Sequence, residues 1–203
     1  MLIVGLTGPS GAGKGVVCRI FERYGVPCID TDAVYHNLLQ PPSACLDELA
    51  NRFGTSILNT DGTLDRKALS ALVFVPENRE KLKELNRITH RHILSDVRRQ
   101  CDALRQGGCP VVLVDAPQLY DSGFDGECDC VIAVVAPHDV CVARIIARDG
   151  ITRERAEARL QAQHSIDYFQ SHADVIIENH GHIEDVESAV LALVKKWGDG
   201  YEI

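Results

Sequence analysis

Gly8-Pro-Ser-Gly-Ala-Gly-Lys14 separates an apolar run, Leu2 to Thr7, from an amphipathic one, Gly13 to Tyr24. No other feature of the chain restricts its fold so tightly. The string fits G-x-x-x-x-G-K, and its setting between a buried strand and a helix is the one that pattern requires. Glycines let successive backbone N–H groups turn inward around phosphate oxygens, and the helix that follows adds its positive N-terminal end. Gly8, Pro9, Ser10, Gly11, Ala12, Gly13, Lys14, Gly15 and Val16 are therefore expected to hold the phosphates of ATP, with Lys14 reaching the β- and γ-phosphates. Gly15 stands where a Ser or Thr usually ligates Mg²⁺, and Val16 supplies no hydroxyl either. The metal is then expected to rely on water, ATP oxygens and carboxylates such as Asp32 or Asp115.

The rest of the chain alternates short apolar runs with longer amphipathic ones. Val26–Ile29, Val111–Val114, Cys130–Ala136 and Asp174–Ile177 read as further strands, and none alternates polar with apolar residues. Strands buried on both faces look like this, and intervening helices make the sheet parallel. The expected class is α/β, with a five-stranded parallel sheet. Its core spans 1–32 and 107–203, with a short lid at about 149–173 that carries an Arg-rich helix from Arg153 to Gln163 behind Thr152 as N-cap. Residues 33–106 show no buried strand. Leu82, Leu85, Ile88, Ile93, Val97, Cys101 and Leu104 recur at helical spacing, so this stretch reads as a helical insertion.

Composition removes several classes. The longest apolar run is seven residues, Cys130 to Ala136, against the roughly 20 a membrane-spanning helix needs. A net charge of −8 argues against a general nucleic-acid binder. Eight cysteines without a C-x-x-C suit free thiols in a reducing cytoplasm better than a disulfide framework or a zinc site. An acidic chain that binds anions must gather its cations locally, which turns attention to particular arginines.

Ligands of open α/β sheets lie beyond the carboxyl ends of the strands. Asp30 and Asp32 follow the second strand, and Asp115 closes the third. A carboxylate there can take a proton from an attacking hydroxyl or hold a metal. Asp is also a favoured helix cap, so capping of the segment from Ala33 remains open for Asp30 and Asp32. Asp115 can equally be a strand-end residue bonded to backbone. Arg144 and Arg148 are four apart, on one face of the helix after the fourth strand. Arg153, Arg155 and Arg159 follow in the lid, where ordinary solvation is the competing reading.

Six separate blocks carry a resemblance: GLTGPSGAGKG, GVPCIDTDAVYHNLL, DGTLDRKALSALVF, VDAPQLYDSG, ARIIARDG with RLQAQ, and ADVIIENHG. Together they resemble the dephospho-CoA kinases, from residue 2 to about 182. The resemblance implies a P-loop kinase core that transfers the ATP γ-phosphate to the 3′-hydroxyl of dephospho-CoA, with Mg²⁺ as cofactor. It puts the catalytic carboxylate on Asp32 and the transition-state arginine on Arg144. It sets Asn179 and Gly181 beside the ATP adenine, with Arg148 and Gln163 in the lid. It makes residues 33–106 the acceptor-binding insertion, with Arg66 and His90 at matching positions. The chain departs from the family at Gly15, at Pro117-Gln-Leu-Tyr-Asp121 in place of P-L-L-x-E, and at Arg91, where Pro is common. A nucleoside monophosphate kinase, favoured by the loop string, and a non-catalytic nucleotide-binding module, suggested by Gly15, are the alternatives.

Overall fold

The computed structural model describes residues 1–75 and 78–198. They form two compact units, Met1–Ile29 with the chain from Ala103 on, and Asp30–Asp102. In chain order the elements are β1 (Leu2–Thr7), α1 (Lys14–Arg23), β2 (Cys28–Asp30), α2 (Thr31–Leu38), α3 (Ala44–Phe53), α4 (Arg66–Val73) and α5 (Arg79–Gln106). They continue with β3 (Val111–Asp115), α6 (Leu119–Ser122), β4 (Cys130–Val135), α7 (His138–Asp149), α8 (Arg153–Gln161), α9 (Ile166–His172), β5 (Val175–Glu178) and α10 (Ile183–Gly198). Among the described residues no helix is long and apolar enough to cross a membrane.

The strands form one parallel sheet in the order β2-β3-β1-β4-β5. All six residues of β4 are buried, as expected of a strand covered on both faces. β1 lies at the centre. The first crossover carries the chain to one side and the later ones bring it across to the other, so the strand order reverses beside β1. That reversal is where α/β sheets open a ligand crevice at their carboxyl edge. Leu6 is in register with Asp115 across β1 and β3, and Ala116 donates its N–H to Leu6 O at 3.0 Å. The first residues of the phosphate loop and the acid of β3 therefore leave the sheet side by side.

One face of the sheet is closed by α1 and α10. Val17, Ile20 and Phe21 of α1 and Val186, Val190 and Trp197 of α10 pack with Val4, Leu6, Leu113, Ile132 and Val134. The Phe21 and Trp197 rings stack at 5.6 Å. Elsewhere in this unit, Ala156 of α8 is buried with Val142 and Ile145 of α7, and Phe169 of α9 packs with Ala133 and Val135.

The second unit has its own core of Leu39, Cys45, Leu49, Ile57, Leu69, Val73, Leu85 and Ile88, with Tyr35 and Leu38 packed against it. These last two explain why the unit begins at Asp30: α2 belongs to this core by its apolar side chains. The long helix read from its periodicity is present as α5, and its helical neighbours are capped locally. Ser43 Oγ accepts from Leu46 N at the start of α3, and Asp65 accepts from Lys67 N and Ala68 N at the start of α4.

Three elements differ from the sequence reading. The second strand is Cys28–Asp30 instead of Val26–Ile29, because Val26 N–H is used to close the end of α1 on Phe21 O and Pro27 has no N–H to give. The Arg-rich helix ends at Gln161. A separate helix, α9, follows it, started by Ser165 accepting from Tyr168 N.

Candidate active site

Backbone conformation fixes the phosphate loop before any side chain is considered. Gly8 has φ 135°, and a Cβ there would lie 2.1 Å from the Val134 carbonyl oxygen of β4. Gly13 has φ 105°, and its Cβ would lie 2.2 Å from Asn179 Nδ2. Only glycine combines that conformation with that closeness. Lys14 opens α1 and donates from Nζ to Gly8 O at 3.0 Å, spanning the loop. Gly15 is the second residue of α1, exposed, and without a positive φ.

Side chains from two distant segments hold the loop's carbonyl groups. Arg144 Nη1 donates to Gly11 O and Ala12 O, each at 3.2 Å. Its Nη2 donates to Asn179 Oδ1 at 3.1 Å and to Asn179 O at 3.4 Å. Asn179, directly after β5, is 6% exposed and donates from Nδ2 to Ala12 O at 2.8 Å. A trans peptide sets N–H opposite C=O. Engaging Ala12 O on this side therefore turns the Gly13 N–H to the other, where an anion can meet it.

One turn beyond Arg144, Arg148 Nη2 is 3.4 Å from Ser10 Oγ. The same guanidinium forms a two-point pair with Asp149, at 2.7 and 3.0 Å, and Asp149 also pairs with Arg159. Arg148, then Arg159, hold the Asp149 carboxyl down at about 2. Gln163 Oε1 accepts the Ser10 N–H at 2.9 Å. The segment read as a lid is thus in contact with the loop through Gln163. Arg153 pairs with Asp139 and Glu157, and Arg155 gives its backbone N–H to the Thr152 cap.

Asp115 Oδ2 accepts from Cys18 Sγ at 3.5 Å, and Cys18 in turn accepts from Cys28 Sγ at 3.1 Å. The Cys28 contact, then burial, then the Asp115 charge push the Cys18 thiol far above its usual range, so it stays protonated. Gly181, in the loop after β5, has φ 112° and open space around the position a Cβ would take. A cavity of about 240 Å³ near Pro9 is lined by His138, Cys141, Leu160, His164 and Ile166 among others. None of Lys14, Arg144 or Asp115 lines it.

In the second unit Asp30 answers the question its sequence left open. Its Oδ1 accepts from Asp32 N at 2.8 Å and Ala33 N at 3.1 Å, so Asp30 caps α2. Asp32 follows as the second residue of α2 and is exposed. Arg66 Nη2 lies 2.8 Å from His36 Nδ1. His90 is half-buried on α5. Its neighbours Arg91 and His92 both pair with Glu48, which draws the Glu48 carboxyl below its usual range, His92 contributing most.

The family model for dephospho-CoA kinase matches residues 2–185. The chain belongs to the dephospho-CoA kinase family. A dephospho-CoA kinase of Carboxydothermus hydrogenoformans is 35% identical over 195 residues, 96% of this chain and 94% of that one. A Thermus thermophilus protein of known structure is 31% identical with a TM-score of 0.82, over 96% of this chain and 97% of the other. The structure of dephospho-CoA kinase from Campylobacter jejuni is 26% identical with a TM-score of 0.71, over 98% of both chains.

Within this dephospho-CoA kinase framework, the structure brings Gly8 to Gly13, Lys14, Arg144, Arg148, Gln163 and Asn179 into one bonded cluster. Asp115 lies beside the same loop through its register with Leu6. Sequence reasoning missed Asp149, whose carboxylate orients Arg148. Its adjacency to Arg148 in ARDG was the available signal. It also missed the Cys28–Cys18–Asp115 chain, because a ten-residue spacing between cysteines specifies no contact.

Proposed function

We propose that this chain transfers the γ-phosphoryl group of ATP to the ribose 3′-hydroxyl of dephospho-CoA, giving coenzyme A and ADP in a reducing cytoplasm. The observation that carries this reading is the grip of Arg144 and Asn179 on the carbonyls of Gly11 and Ala12. It sets a cation and an inward-turned amide at one loop. Phosphoryl transfer needs little covalent help from a protein and much fixed positive charge, since negative charge spreads over the equatorial oxygens.

In this reading the loop amides and Lys14 bind the β- and γ-phosphates, and Arg144 stabilises charge on the moving group. Arg148 and Gln163 join the lid to the triphosphate site, and Asn179 and Gly181 border the adenine. Asp32 orients the acceptor hydroxyl and takes its proton as the new P–O bond forms; the IDTD motif supports that role. Arg66 and His90 contribute to acceptor binding in the helical unit, where a guanidinium suits the acceptor's diphosphate.

Kinase chemistry also implies Mg²⁺. Among the described residues no group of three or more His, Cys, Asp or Glu could hold a metal ion. That fits an ion which takes one or two carboxylates and otherwise water and substrate phosphates. Asp115, in register with Leu6, and Asp32 are the carboxylates that would serve. When bound, Mg²⁺ offsets charge on the β- and γ-phosphate oxygens.

Asp32→Asn tests the proton-accepting role. Turnover with dephospho-CoA should fall by about a hundredfold or more, with ATP affinity by calorimetry nearly unchanged. Full activity in that variant removes Asp32 from the role.

A further inference from the structure

Beyond phosphoryl transfer, we propose that Cys18 and Cys28 are an oxidisable dithiol, converted by a hydroperoxide to a disulfide that ties α1 to β2. Cys18 lies one helical turn past Lys14 on α1 and is 8% exposed. Cys28 is the first residue of β2 and half-buried. Both are free thiols, with their sulfurs 3.1 Å apart. A disulfide needs about 2.05 Å, so the sulfurs must close by roughly 1 Å, within reach of small side-chain rotations.

The hydrogen bonds give the pair a direction. Cys28 donates to Cys18, and Cys18 donates to Asp115 Oδ2. The half-buried Cys28 meets a small oxidant first. Its sulfur takes one peroxide oxygen, forming a sulfenic acid and releasing water from the other oxygen. The Cys18 sulfur then attacks the Cys28 sulfur as its proton passes to Asp115 Oδ2, the acceptor it is already bonded to. An S–S bond forms, the S–O bond breaks, and the departing hydroxide leaves as water with the Cys18 proton. The net change is two thiols and one hydrogen peroxide to one disulfide and two waters, with the sulfurs losing two electrons and the peroxide gaining them.

In the oxidised form Cys18 has no hydrogen to donate, so Asp115 loses that bond. The ten-residue connection between the helix behind the phosphate loop and β2 becomes a closed loop, which restricts the unfolded chain.

The test is stoichiometric hydrogen peroxide on the full chain, followed by non-reducing peptide mass mapping and thermal melting. The expected product is a Cys18–Cys28 cross-linked peptide pair, lighter by two hydrogens. Its melting temperature should rise by about 5 °C, and dithiothreitol should reverse both changes. Cys18→Ser, which keeps a donor to Asp115, should show no cross-link, and Cys28 should accumulate as a sulfenic acid trapped by dimedone. The proposal is overturned if wild-type protein yields no Cys18–Cys28 link, if another cysteine pair links first, or if Cys18→Ser is oxidised to the same disulfide mass. None of these readouts depends on the acceptor, so the result stands apart from the kinase assignment.

Discussion

Placing a hydroxyl at position 15 tests how this chain would hold the Mg²⁺ that the proposed kinase activity implies. Gly15→Ser places Oγ in the first turn of α1, directly after Lys14. A Cβ at this position meets only Arg19 Nη1, at 3.8 Å, an ordinary van der Waals contact. The helical backbone there needs no glycine, so the substitution should leave the fold intact. Replacing Gly by Ser in a helix gains a few tenths of a kcal/mol, less than about 2 °C in melting temperature for a chain of this size. The functional effect should be larger. One added oxygen ligand, taken at the ~1.5 kcal/mol of a contact to a charged group, lowers the apparent Mg²⁺ constant by about tenfold. The assay is Mg²⁺ titration of ATP-dependent phosphorylation, paired with calorimetric ATP binding in Mg²⁺ and in EDTA. Gly15→Ala serves as control, since it changes the helix and adds no ligand. If Ser and Ala give the same Mg²⁺ constant as the parent, the argument from the missing hydroxyl is wrong.

Gly8→Ala sets a Cβ against the Val134 carbonyl at a φ that L-residues rarely adopt. It should cost at least about 2 kcal/mol, a fall of roughly 4–8 °C by circular dichroism, and abolish ATP binding; a variant as stable as the parent refutes the stated packing. Tyr120 carries a buried hydroxyl with no hydrogen-bond partner among the described residues, and burial pushes its pKa up to about 12. Tyr120→Phe should therefore be neutral or up to about 1 kcal/mol stabilising in urea unfolding, whereas a clear loss of stability would reveal a bond to that oxygen. Arg148 and Arg159 hold Asp149 at about 2, below its unfolded value near 4. The favourable pairing is complete above about pH 4 and lost only as pH falls toward 2. Between pH 5 and 9 the parent and Asp149→Asn should thus show parallel pH–rate profiles, with the variant's KM for ATP raised at every pH. Convergence of the two profiles near neutral pH would contradict this.

What could be read from the sequence follows from which contacts are local. β1, β3, β4 and β5 lie within a residue or so of the apolar runs, because most of their residues are apolar and buried or half-buried in the sheet. The glycine pattern located the loop because its backbone demands glycine whatever surrounds it. The second strand was misjudged because Val26 is spent on the end of α1, a choice the apolar pattern does not encode. α9 escaped notice because seven residues carry too little periodicity. Capping is open to both Asp30 and Asp32 in the sequence, and the bonds from Asp32 N and Ala33 N assign it to Asp30. The binding of Arg144 to Gly11 and Ala12 spans more than 130 residues. Only the common carboxyl edge of β1, β4 and β5 brings those groups together.

The central claim is met most directly by an acceptor comparison with purified protein, ATP and Mg²⁺. Dephospho-CoA, AMP and CMP are offered separately, and products are resolved by phosphorus NMR. The account predicts a new ribose 3′-phosphomonoester on dephospho-CoA together with ADP, and negligible transfer to either monophosphate. Faster phosphorylation of AMP or CMP, or ATP binding with no transfer to dephospho-CoA, would contradict it.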